Sequence, residues 1–293
     1  MAINKLELIK ELRQRTNSAL VDVKKALEST NYDIEAAVQW LKENGIVKAA
    51  KKAGRIAAEG AVLAIGNQTR AILIEINSET DFAAKNDKFV ELLNQTANSI
   101  YESKVSTLED ALNVVLSNGQ TVENELMNAT SVIGEKISLR RVLEIQANEG
   151  EVLGIYNHIN KQVSAVVNIK GTNPEVAKNV AMHVSAMNPE FSLVSQLSNE
   201  RLNEIKSQFE KPAGFESKPA QIQEKIVSGW LDKQLSEFVL EKQSYVLDDA
   251  LTVSKYLSSV NSELVNSYRF EVGEGIEKVQ SNFAADVAEM VKH

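Results

Sequence analysis

Cysteine is missing from all 293 positions of this chain, which excludes disulfides, thiolate nucleophiles and disulfide-linked dimers. A cytoplasmic setting fits that absence. Histidine is scarce: His158, His183 and His293 stand far apart and lack the spacing of metal ligands. No apolar run approaches the length of a membrane span. The opening M-A-I-N-K-L-E-L mixes acidic and polar residues among its apolar ones, so no signal peptide is expected. No G-x-x-x-x-G-K-[ST] loop occurs, so the chain is not expected to cradle nucleotide phosphates itself. Gly273 and Gly275 form a lone pair that reads as a turn between strand and helix. A formal charge of −8 and an isoelectric point near 5.2 argue against a nucleic-acid sheath, which needs clustered cations. Carboxylate pairs are plentiful, but none sits in an identifiable pocket. No catalytic constellation, metal or cofactor is expected.

What is present suits one large domain or two to three smaller ones, at 43% hydrophobic and 25% charged residues. Residues 1 to about 45 read as three short helices. Leu6, Leu8, Ile9 and Leu12 give the first an apolar face. Thr16 or Ser18 can cap the second, whose face is Leu20, Val23 and Leu27. Asp33 can cap the third, with Ala37, Trp40 and Leu41 inward and Gly45 as the stop. Residues 42–55 are locally basic, either as a solvated helical linker or as electrostatic guidance toward an acidic surface.

From Ala61 the period changes. Residues 61–65 and 70–76 form a hairpin around Gly66, Asn67 and Gln68. Helices are expected over 87–101, 108–116 and 122–137, then strands over 139–145, 152–158 and 163–169. A helix starts at Pro174 and runs to Met187. Strand-strand-helix thus occurs twice, about 90 residues apart, which hints at two related α+β halves. Residues 198–209 and 220–240 read as an antiparallel helical hairpin turned by Pro212, Gly214 and Pro219. Its apolar positions include Leu202, Ile205, Phe209, Ile222, Ile226 and Trp230. The chain resumes over 253–257, with a strand over 267–272 and a final amphipathic helix carrying Phe283, Ala284, Val287 and Met290.

The richest stretch is E-I-N-S-E-T-D-F-A-A-K, residues 75–85, behind the short apolar strand 71–74. A strand-to-helix turn presents Thr80, Asp81 and Phe82 at its tip. A large ring at an exposed tip leaves roughly 150–250 Å² wet unless a partner covers it. The bland alternative folds Phe82 back into the core and leaves Asp81 capping the next helix.

That stretch resembles the second signature of the bacterial elongation factor Ts family, guanine-nucleotide exchange factors of elongation factor Tu. The first signature is matched by L-R-Q-R-T-N-S-A-L-V-D-V-K-K-A-L over 12–27. Further matches are K-A-A-K-K-A-G-R over 48–55, I-G-E-K over 133–136, H-V-S-A-M-N-P over 183–189 and R-F-E-V-G-E-G-I-E-K over 269–278. They follow the family's order and cover nearly the whole chain. The family commonly has methionine and cysteine where Val21 and Val23 stand, and valine in place of Ala83. All three changes keep apolar side chains.

The resemblance implies an α+β fold. Residues 1–55 would be a ubiquitin-associated-like (UBA-like) three-helix bundle with its basic linker. Two related antiparallel-sheet subdomains would follow, over 56–140 and over 141–196 with 241–272. A coiled-coil hairpin would occupy 197–240, and a C-terminal helical module 273–293, its helix docking on the partner's nucleotide domain. It implies that Thr80, Asp81, Phe82 and Ala83 enter the nucleotide domain of elongation factor Tu, with Phe82 displacing the groups that hold Mg²⁺. Leu20, Val21, Val23 and Lys24 would meet the partner near its phosphate-binding loop, although Leu20 and Val23 also fit a bundle core. Ile133 and Gly134 match a third contact, although Gly134 also fits a simple helix interruption. The partner would be that GTPase, with no direct nucleotide, nucleic-acid or membrane binding. Rival classes are a non-enzymatic adaptor, whose bundle binds a helical or ubiquitin-like partner, and a Mg²⁺-dependent enzyme using the acidic surface.

Overall fold

The computed structural model describes residues 4–16 and 18–277. Its helices and strands, in chain order, are α1 (Lys5–Thr16), α2 (Leu20–Ser29), α3 (Ile34–Lys52), β1 (Glu59–Gly66), β2 (Arg70–Ser78), α4 (Asp81–Ala84), α5 (Asp87–Ser103), α6 (Leu108–Asn113), α7 (Val122–Ile133), β3 (Ser138–Gln146), β4 (Glu151–Asn157), β5 (Val163–Lys170), α8 (Pro174–Met187), α9 (Asn199–Ser207), α10 (Ala220–Leu235), β6 (Ser244–Tyr245), β7 (Asp248–Thr252), α11 (Val253–Ser259) and β8 (Glu263–Glu271). The fold mixes helices with small antiparallel sheets. No described helix is long and apolar enough to cross a membrane.

Two three-stranded sheets, β1-β2-β3 and β4-β5-β8, share one connectivity: a hairpin, then helices, then the third strand. Strand β2 sends Ile72, Ile74 and Ile76 toward Phe89, Leu93 and Ile100 of α5. Its other face packs Ala71 and Leu73 with Leu153, Val166 and Phe270 of the second sheet. Strand β5 mirrors this, with Ala165, Val167 and Ile169 against Val176, Val180 and Val184 of α8. The layers therefore run helices, sheet, sheet, helix. Both faces of β2 and β5 are covered, so these strands are buried at successive positions rather than at alternate ones. Gly154 lets α8 sit down on β4: a Cβ there would lie 2.0 Å from the Lys178 amide nitrogen.

One charged group lies in this apolar frame. Glu75 of β2 is fully buried. The β2–β3 register shifts between Glu75 and Ile76, whose partners are Arg141 and Leu139. The bulge leaves Arg140 as the extra residue, so two successive guanidinium groups reach one carboxylate. Arg140 Nη1 donates to both Glu75 oxygens at 3.1 Å, and Arg141 Nε donates to Oε2. Asn77 Nδ2 at 2.9 Å and the Gly273 amide at 2.8 Å complete the shell. Gly273 has φ 72°, and a Cβ on it would strike the Ala58 carbonyl oxygen at 2.1 Å. The turn after β8 is thus fastened to the first sheet.

Ahead of the sheets, α1, α2 and α3 enclose Leu12, Val23, Ala26, Leu27 and Ala37. Asp33 caps α3 by accepting from the Ala36 amide at 2.9 Å. Neither Thr16 nor Ser18 caps α2. Ala19 holds that position without a side-chain bond, and Thr16 Oγ1 donates back to the Leu12 carbonyl at 2.7 Å. Leu6 is exposed, off the expected face. Gly45 does not stop α3, which continues to Lys52. Its missing side chain faces Ser131 of α7, 3.5 Å from where a Cβ would be, so it marks helix packing.

Other boundaries also move. Helix α7 ends at Ile133 because Gly134 turns left-handed at φ 89°. Helix α6 ends at Asn113, and Val115 bridges Thr121 instead. Helix α10 ends at Leu235 rather than Leu240, and β8 starts at Glu263 rather than Ser267. The β6–β7 hairpin was not expected, being short and polar at its ends. Between α9 and α10, Phe209 packs edge-on to Phe215 and Trp230 at 5.6 and 5.3 Å. The expected C-terminal helix with Phe283, Ala284, Val287 and Met290 lies outside the described residues.

Burial alone would push the Glu75 carboxyl up, but the Gly273 amide, Asn77 and Arg141 hold it below its ordinary value near 4.5. A carboxyl held low in the fold stabilises it above the unfolded pKa, and that stability is lost as pH falls through the folded one. Glu75→Gln is therefore expected to flatten the loss of stability on acidification from roughly pH 5 to 3. Glu75→Ala, which takes the shared carboxylate from Arg140 and Arg141 and leaves them their bonds to Glu271 and Glu274, is expected to cost about 1–3 kcal/mol. Urea denaturation across that pH range measures both. A profile unchanged by Glu75→Gln would contradict the coupling.

Candidate partner-binding site

The site grows out of the end of β2. Ser78 Oγ donates to the Thr80 carbonyl at 2.8 Å, bending the chain out of the strand. Thr80 is extended at φ −128°, ψ 157° and caps the single turn of α4, its Oγ1 accepting from the Ala83 amide at 3.2 Å. Ala83 and Ala84 are buried beneath that turn. Phe82 points the other way and is 80% exposed. Asp81, in the first turn of α4 where a negative charge is favoured, pairs with Lys85 at 2.6 Å. The hydrogen bond from Lys85 holds the Asp81 carboxyl below its ordinary value.

Thr80 is held from the side as well. Its amide donates to Glu135 Oε2 at 2.9 Å and its hydroxyl to Glu135 Oε1 at 2.7 Å. Glu79 accepts in turn from the Lys136 amide at 2.7 Å and from Arg55 Nη1 at 3.2 Å. The left-handed Gly134 is exposed, and its carbonyl accepts from Lys52 Nζ of α3. Ile133 is half-buried against the helical core of the first sheet. The structure therefore brings Ile133 and Gly134 to the base of the finger. Glu135 beside them has a role that neither motif nor spacing assigns. A carboxylate in a tight connection just after a helix was the available signal.

The α2 residues form a separate group. Val21 is 74% exposed, Leu20 and Lys24 are exposed, and Val23 is fully buried with Leu12 and Leu27. Val23 is bundle core, because helical spacing turns it inward as Val21 and Lys24 turn out. Ala83, also expected in the inserted turn, is buried beneath it. Of the basic stretch, Lys48 pairs with Asp22 at 2.6 Å, and Lys52 and Arg55 hold the finger's base. Much of its charge is therefore engaged internally.

The histidines are positioned as structure. His183 is buried, its Nδ1 accepting from the Val246 amide at 3.1 Å and its Nε2 facing Gln243 Oε1 at 3.0 Å. The proton therefore sits on Nε2, and burial lowers the pKa. His158 lies at the β4–β5 turn beside Asn160, and His293 lies outside the described residues. Among the described residues no group of three or more His, Cys, Asp or Glu is arranged to hold a metal ion.

The site is thus an uncovered ring on a bonded base, with an acid beside it. The family profile described as Elongation factor TS matches residues 79–274. The chain is 63% identical over 292 residues to elongation factor Ts of Mycoplasmopsis synoviae (strain 53), covering 100% of both chains. It is 44% identical to that of Mycoplasmopsis pulmonis (strain UAB CTIP), over 99% of both. It is 43% identical to that of Acholeplasma laidlawii (strain PG-8A), over 97% of both. The chain belongs to the elongation factor Ts family, whose role lies in translation elongation.

Replacing a core side chain and a surface one separates packing from contact. Val23→Ala is expected to cost about 2 kcal/mol of stability. Val21→Ala and Phe82→Ala are expected to stay within about 0.5 kcal/mol. Chemical denaturation measures all three, and equal costs for Val21 and Val23 would contradict the assignment.

Proposed function

We propose that this chain binds elongation factor Tu in its GDP form, loosens Mg²⁺ there and promotes GDP release so that GTP can bind. The observation that carries this reading is the Phe82 ring, 80% exposed on a base bonded from two sides. Covering that ring gains about 1.5–3 kcal/mol, and this gain is available only when a partner accepts it. Wedged into the partner's nucleotide domain, the ring displaces the groups that hold the metal ion. Loss of Mg²⁺ removes the main neutraliser of the diphosphate charge, so GDP leaves faster. Asp81 supplies a hydrogen-bond acceptor beside the ring and fixes its register.

No bond of substrate is made or broken by this chain, and it binds no nucleotide itself. It works in the cytoplasm, where its partner is. A ten-thousandfold faster release requires roughly 5.5 kcal/mol of barrier reduction. One ring supplies about 2–4 kcal/mol as a hot spot, so other contacts share the effect. Leu20, Val21 and Lys24 are exposed on α2 and suit a second contact, with α1 to α3 acting as the UBA-like module over residues 1–55. Gly134 and Ile133 contribute beside the finger. The two sheets with their helices form related subdomains over 56–140 and over 141–196 with 241–272. The helical hairpin over 197–240 acts as a short coiled coil, and 273–293 as a C-terminal docking module.

Stopped-flow release of a fluorescent GDP analogue from elongation factor Tu tests the reading. Phe82→Ala is expected to lower stimulated release by roughly thirtyfold, the equivalent of about 2 kcal/mol. Undiminished stimulation would sink the wedge. Lys24→Ala is expected to weaken complex formation while helicity by circular dichroism stays unchanged.

A further inference from the structure

We infer that Glu135 is the positioning residue of the Phe82 finger, with Glu79 as its reciprocal half. This rests on Phe82 being the element that enters the partner. Glu79 and Thr80 follow β2, whereas Glu135 and Lys136 join α7 to β3. The two segments exchange bonds crosswise. The Thr80 amide and hydroxyl end on the two oxygens of Glu135 at 2.9 and 2.7 Å, and the Lys136 amide ends on Glu79 Oε1 at 2.7 Å. Arg55 closes the arrangement, donating to Glu79 at 3.2 Å while its carbonyl accepts from Lys136 Nζ at 2.9 Å.

Thr80 passes this constraint to the ring. Its Oγ1 donates to Glu135 and accepts from the Ala83 amide at 3.2 Å, so one hydroxyl ties the clamp to the turn that carries Phe82. Bonds to ionised carboxylates are short and directional. An apolar ring on a loose loop would fold onto the nearest apolar surface, and the ordering cost would return at each binding event. With Thr80 fixed, the outward pose exists before the partner arrives. The push needed to enter the partner is then borne by the α7–β3 connection rather than lost in a hinge at residues 79–80. Glu135 is half-buried and performs this role without touching the partner.

The test uses the full chain with Glu135→Ala, Glu135→Gln, Phe82→Ala and the double variant Glu135→Ala/Phe82→Ala. Two readouts are taken: GDP release from elongation factor Tu, and backbone hydrogen exchange of the free factor. Glu135→Ala is expected to slow stimulated release about tenfold. Glu135→Gln, which keeps one acceptor oxygen, is expected to recover part of that loss. Added to Phe82→Ala, Glu135→Ala is expected to cost no more than about twofold, because no ring remains to be positioned. Exchange at residues 80–84 is expected to quicken in Glu135→Ala while α5 stays protected. A loss of equal size with and without the ring, or undisturbed exchange at 80–84, would overturn the role. A Phe82→Ala that slows release beside a silent Glu135→Ala would overturn the positioning role alone. A silent Phe82→Ala would overturn the finger and this assignment with it.

Discussion

A carboxylate with no access to water stands where the two sheets meet, and the architecture depends on how it is satisfied. Glu75 is neutralised by two arginines that a β-bulge places side by side, and it takes a backbone amide from the turn after β8. An isolated charge in such a place would be prohibitively costly. Fully bonded, it makes the arrangement specific. Only one register of β2 on β3 delivers both guanidinium groups, and only one seating of Gly273 delivers the amide. Strand β2, so anchored, is the strand that ends at Ser78, four residues before Phe82.

The finger turns the usual logic of burial around. Folding gains little from Phe82, because its ring stays in water, so its removal costs the free molecule almost nothing. In the proposed role, that apolar free energy is held back until a second surface arrives. Holding it back requires rigidity beneath the ring, which Ala83, Ala84 and the crosswise Thr80–Glu135 and Lys136–Glu79 bonds provide. The same connection is reached from the bundle, since Lys52 and Arg55 at the end of α3 bond to Gly134 and Glu79. Bundle and finger therefore share one base, and the proposed contacts through α2 and Phe82 would act on a single body.

Much of this was legible in the sequence, for identifiable reasons. Helix α8 begins at Pro174 and ends at Met187 as expected, because a proline opens it and Asn188 closes it in a left-handed turn. The hairpins β1–β2 and β4–β5 were visible as short apolar runs around turn residues. Phe82 stood out because an aromatic residue followed a strand and preceded a capped helix. Gly45 misled, since a glycine that admits a neighbouring helix looks like one that ends its own. Val23 was ambiguous because helical spacing put it on the bundle face with Leu27 while the family resemblance put it against the partner. The partners of Glu75 and Glu135 were hidden for a different reason. Apart from Asn77 beside Glu75, the partners lie more than fifty positions away, and sequence spacing carries no signal for that.

An exchange factor must bind its partner better when nucleotide is gone, and linkage makes the converse equally true. Calorimetry of elongation factor Tu with this chain, in the nucleotide-free and GDP-bound forms, reads that preference directly. With the native ring the nucleotide-free form is expected to bind far more tightly. With Phe82→Ala the gap between the two affinities is expected to narrow, while binding to the GDP form changes little. A gap of the same width without the ring would contradict the proposed action of Phe82.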